Sequence, residues 1–245
     1  MSNRNFESSN PFMKDSAFET PIDYLGSETM TISGAINKTM ILFGILLLTS
    51  VVGFAFPNPY FMFGGAIAGL VLALIAAFKP SRSTWVAPAY AAVEGLFVGS
   101  VSAIYAGLFS GIIFQAVTLT LAVLFFMLMA YKYQWIVVNN KVRNIVMAST
   151  AAIATFYVIS LIVNYGFGFQ MPMIHSNGWL GIGFSLFVVG LASMNLLLDF
   201  DNFDRGAEAG VPSYMEWYCG MSIMITIVWL YLEILRLLAK LSSRD

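Results

Sequence analysis

Apolar residues arrive in long blocks along this chain. Seven blocks can be marked off: 39–56, 60–78, 84–106, 108–131, 144–167, 178–200 and 213–238. A helix that crosses hydrocarbon needs about 20 mostly apolar residues, and these blocks match that length. Stretches such as ILFGILLLTSVVGFAF (41–56) do not alternate. Barrel strands would alternate over segments of about 10 residues, so the pattern predicts an all-α, polytopic membrane protein. Polar punctuation separates the blocks: Pro57-Asn58-Pro59, Lys79-Pro80-Ser81-Arg82, a lone Gly107, a basic loop at 132–143, a loop at 168–177 and a hairpin at 201–212. Residues 1–38 read as a polar, mobile arm, 39–238 as the membrane domain and 239–245 as a short tail. No apolar stretch in the arm has the form of a signal-peptide core.

Composition sharpens this picture. Of 245 residues, 59% are hydrophobic and 10% charged, against roughly a quarter charged in soluble domains. Eight charges fall in residues 1–38 and three in 239–245, so the spans are nearly charge-free. A net charge of -1 argues against nucleic-acid binding, which calls for a basic face. One cysteine, Cys219, and one histidine, His175, exclude a disulfide framework and a Cys- or multi-His metal site.

Lysine and arginine in short loops mark the inside face of a membrane protein. With the N-terminus inside, nine of them fall on inside segments, including Lys79, Arg82, Lys132, Lys141 and Arg143, and none on the loops 57–59, 107 and 168–177. Arg236, Lys240 and Arg244 then end outside, against the trend. The expectation is a multi-pass protein with a cytoplasmic N-terminus.

Two small-xxx-small pairs, Gly65/Gly69 and Gly95/Gly99, let helix backbones approach closely and read as packing sites. Carboxylates inside spans carry more information, because they are costly in hydrocarbon. Glu94 lies about eleven residues into the third span and has no obvious basic partner. In the sixth span Ser185, Ala192, Asn195 and Asp199 share one face, with Asp201 and Asp204 at its end. In the seventh, Glu216, Cys219, Ser222, Thr226 and Glu233 do the same. Two facing polar stripes would line a seam. With the hairpin turn near Glu208, Glu216 comes level with Asp199, and Glu233 lies about 25 Å further at 1.5 Å per residue. Asp199 and Glu216 are therefore the expected calcium or proton site. Glu94, Asn195, Ser222, Thr226 and Glu233 are the expected seam residues.

Other membrane chemistries fit poorly. A retinal lysine belongs mid-way along the last helix, and Lys240 lies beyond it. A Ser-His dyad is contradicted by His175, which precedes its candidate serine. The aspartates cluster at one helix end, which does not suit two facing catalytic aspartates. No Walker-type Gly-Lys-Ser/Thr loop is present. Neither an enzyme nor a bound cofactor is expected.

Four stretches together resemble the Bax inhibitor-1 (transmembrane Bax-inhibitor-motif) family in its bacterial branch: MTISGAINKT at 30–39, AVEGLFVGSVSAIY at 92–105, LLLDFDNFDRGAEAG at 196–210 and MEWYCGMSIMITIVWLYLEILRLL at 215–238. The resemblance implies a seven-helix bundle with the last helix near its centre. It implies either a pH-sensitive calcium leak or a regulator that binds other membrane proteins, such as protease machinery. Asp199 matches the first aspartate of the family's sensor pair. The second maps onto Glu233 by local text or near Thr226 when the C-terminal ends are matched, whereas the height argument selects Glu216. Expected partners are the lipid bilayer, calcium or protons, and a membrane protein.

Overall fold

The computed structural model describes residues 28–167 and 178–243. Among the described residues, seven helices are long and apolar enough to cross a membrane. They are α1 (Ile32–Ala55), α2 (Gly65–Phe78, led in by a π-turn at Tyr60–Gly64), α3 (Ser83–Leu108, led in by a 3-10 turn at Pro80–Arg82), α4 (Ile112–Lys132), α5 (Asn140–Phe167), α6 (Trp179–Glu208) and α7 (Met215–Ser242). The described residues are helical in every span, as the block pattern predicts. The last helix is the most buried: 67% of its apolar window, against 17–39% for the others.

Several boundaries differ from the sequence reading, each for a local reason. α1 starts at Ile32, so residues 32–38 belong to a helix and not to the arm. Thr31 explains this: in extended backbone, its hydroxyl accepts the Gly34 N–H at 2.9 Å, which is an N-cap. The third and fourth spans part at Phe109–Gly111, not at Gly107, because Gly111 takes the left-handed conformation there (φ 73°). The basic loop is shorter than 132–143. Asn139 accepts the Val142 N–H at 2.9 Å, α5 begins at Asn140, and Arg143 is buried within it. α6 continues past Phe200 to Glu208, with Asp201 and Arg205 paired along it at 2.6 Å. The turn of the hairpin falls at 209–214, where Gly210 is left-handed (φ 63°). Residues 1–27 and the 168–177 loop with His175 lie outside the described residues.

The chain forms two compact units. Among the described residues, the first comprises 28–104 and 198–225, the second 105–167, 178–197 and 226–243. In the first, α1, α2 and α3 pack backbone to backbone. A Cβ on Gly95 would strike Thr49 and Leu46, one on Gly99 the Ser50 carbonyl, and one on Gly65 the Phe97 side chain. The Ser100 hydroxyl donates to the Gly53 carbonyl at 3.2 Å. The two small-xxx-small pairs therefore serve packing within one chain. In the second unit, Phe156 of α5 meets Phe184 of α6 edge-on at 5.6 Å, and Asn195 donates to Thr150 at 2.8 Å.

Candidate functional site

The first unit holds an acidic site at the α6–α7 hairpin. Asp199 is buried, and the Ser222 hydroxyl of α7 donates to it at 2.8 Å. This contact follows from the longer α6. With the turn centred between Glu208 and Met215, the residue level with Asp199 moves from near 217 to near 224. Ser222 therefore meets Asp199, in the place expected for Glu216.

Glu216 sits nearly two turns closer to the hairpin than Ser222 and is also buried. Its Oε1 accepts the Thr31 backbone N–H at 3.0 Å and the Thr31 hydroxyl at 3.1 Å. A side chain on Gly34 would run into this carboxylate, so glycine is needed there. The carboxylate thus lies on the first turn of α1, where the helix dipole favours negative charge. Lys38 of α1 does not pair with it and lies over the Trp217 ring, 4.9 Å from the centroid. Cys219, fully buried, is within electrostatic reach of both Asp199 and Glu216. The two carboxylates are held by separate donors.

Glu94 lies elsewhere in the same unit. It is buried on α3 beside Tyr90 and against Gly69 of α2, where a Cβ would come within 2.5 Å of its Oε2. Among the described residues no basic group pairs with it.

The second unit gathers different chemistry. Glu233 accepts from the Tyr157 hydroxyl at 2.8 Å and from Arg236 Nη1 at 2.8 and 3.0 Å. Arg236 also donates to Tyr157 at 2.9 Å and stacks on its ring. Lys240, buried, donates to the Gly181 carbonyl at 3.0 Å and the Ser185 hydroxyl at 2.9 Å. Asn195 is bound to Thr150 and the Leu191 carbonyl, and Thr226 is buried. Glu233 thus belongs to an internal ion pair of α7. Among the described residues, no three His, Cys, Asp or Glu side chains gather as a metal site.

Thr31, Gly34, Tyr157 and Arg236 were not singled out from the sequence. Two signals pointed to some of them. Thr31 before an apolar run is an N-cap pattern, and Glu233/Arg236 is an i, i+3 pair of opposite charge. Nothing in the sequence joined Thr31 to Glu216, which lies 185 positions away.

The model of the family described as Bax inhibitor 1 like matches residues 10–243. A search of curated proteins finds no match.

Proposed function

Since the chain belongs to the Bax inhibitor 1 like family, we propose that it is a passive, pH-responsive cation path with calcium or protons as cargo. The observation that carries this reading is the burial of two carboxylates, Asp199 and Glu216, at the α6–α7 hairpin, each met by a donor from another segment of the chain. Glu216 is bound only by neutral groups of Thr31 among the described residues, so its charge is not cancelled by a base. Calcium takes about 6–8 oxygen ligands and tolerates irregular geometry. Two carboxylates with the hydroxyls of Ser222 and Thr31 supply such oxygens. Protonation removes their charge and weakens them as cation ligands, so acid slows flux and rising pH speeds it.

The test is calcium entry into dye-loaded liposomes across about pH 6 to 8, near the working range of perturbed carboxyl sites. Wild-type flux should rise with pH. Asp199→Asn should flatten that dependence, and Asp204→Asn at the helix end should leave it unchanged. Identical flux for wild type and Asp199→Asn at every pH would remove the leak reading in favour of a non-transporting regulator. The proposed setting is a bacterial inner membrane with the N-terminus and the 79–83 turn cytoplasmic. Labelling of Ser81→Cys, in a Cys219→Ser background, from the outer face alone would reverse that orientation.

A further inference from the structure

The end of α7 away from the hairpin holds more positive charge than it cancels. Glu233, Arg236 and Lys240 share one helix face there. Arg236 uses a single nitrogen in its pairing: Nη1 meets both oxygens of Glu233 and the Tyr157 hydroxyl. A guanidinium carries five N–H donors in a planar fork. Among the described residues nothing accepts from Nε or Nη2, and a third of the side chain is exposed. Lys240 is more than nine-tenths buried, yet its ammonium meets only the Gly181 carbonyl and the Ser185 hydroxyl, both neutral. Two cations therefore stand against one carboxylate, and the cations are four residues apart. Like charges at that spacing repel, and a buried ammonium without a counter-charge is costly. An anion beside them relieves both.

The level of the cluster says which anion. Gly181 and Ser185 lie in the first two turns of α6, and the apolar block of that span begins at 178. Trp179 and Leu180 beside them are exposed, and tryptophan at a span end marks the boundary between hydrocarbon and headgroups. The anion abundant at that depth is the phosphate of lipid headgroups. We propose that Arg236 and Lys240 form a phosphate site for the headgroup of an anionic phospholipid. The free edge of Arg236, Nε with Nη2, presents two N–H groups in the geometry that two phosphate oxygens accept. Lys240 adds a second charge one turn further on. A zwitterionic headgroup brings its own ammonium into the same field and gains less. The site also gives a reason for Arg236 and Lys240 at an end of the chain where the orientation proposed above leaves the short loops without Lys or Arg. It does not rest on the cation-path reading.

The test uses the full chain purified in a mild detergent. Native mass spectrometry counts bound phosphatidylglycerol and, in parallel, bound phosphatidylcholine, and thermal denaturation reads the stabilisation each gives. Phosphatidylglycerol should bind about 10-fold more tightly, the scale of one charge-assisted hydrogen bond. Lys240→Gln keeps a side-chain donor for Ser185. It should lose most of that preference, while its melting temperature without lipid stays at the wild-type value. Arg236→Lys keeps a cation for Glu233 but has no fork, and it should lose the preference as well. Lys79→Gln, at the exposed end of α2, should retain it. Equal binding of the two lipids by the wild type would overturn the proposal. So would a loss in Lys79→Gln as large as in Lys240→Gln, because the effect would then be one of diffuse charge. Inorganic phosphate that displaces phosphatidylglycerol and stabilises the chain as much would give the site to a free phosphate and overturn the lipid assignment.

Discussion

Glu216 and Glu233 stand on the same helix, both buried, and they are solved in opposite ways. Glu233, in the second unit, meets a guanidinium three residues along its own helix and a tyrosine hydroxyl from α5. Glu216, in the first unit, meets a backbone N–H and a hydroxyl from the start of α1. In the first case charge is cancelled on the spot, and the carboxylate has nothing left to offer an incoming cation. In the second the carboxylate is met by neutral donors alone among the described residues. A buried acid beside a base reads as structure. A buried acid held by neutral donors is left without a local counter-charge. The residue type is the same, and the partners decide.

That contrast can be broken at either end. The largest effect is expected at Arg236→Met. Removing one partner of a buried pair strands the other charge, and such losses run to about 3–5 kcal/mol. Arg236 keeps a third of its side chain exposed, so solvent screening reduces the figure to about 2–3 kcal/mol. Thermal denaturation in detergent should show it, and adding Glu233→Gln should recover most of the loss. If the double variant is no better than the single, the two residues do not act as a pair. A smaller effect is expected at Glu216→Gln. The amide can still accept from Thr31, so only the charge contribution at the α1 terminus is lost, about 1 kcal/mol. The same assay should resolve the difference. A Glu216→Gln loss as large as that of Arg236→Met would mean that Glu216 has an ionic role like that of Glu233.

Much of the molecule can be read from the order of its residues. The seven spans follow from block lengths, because hydrocarbon admits only helices whose backbone polar groups bond within themselves. The glycine pairs follow too, since a missing Cβ at four-residue spacing is a local property of one helix face, and Gly95 and Gly99 pack against α1 as that spacing implies. The polar stripe of the last helix is likewise written in its period. Asp199 could be picked out because it is an acid among leucines.

Its partner could not. Locating the partner depended on where α6 stops, and the sequence favoured a stop near the first charges. In the structure Asp201–Arg205 and Asp204 continue the helix to Glu208. That extension shifts the facing residue by about seven positions, and Ser222 meets Asp199. The sequence determined which residues are costly to bury: Glu94, Asp199, Glu216 and Glu233. Tertiary structure decided which distant donors meet three of them, because Thr31, Ser222 and Tyr157 lie on other segments of the chain. Burial cost is a property of one side chain and its immediate neighbours, whereas hydrogen bonding across 185 positions requires the helices to be in place first.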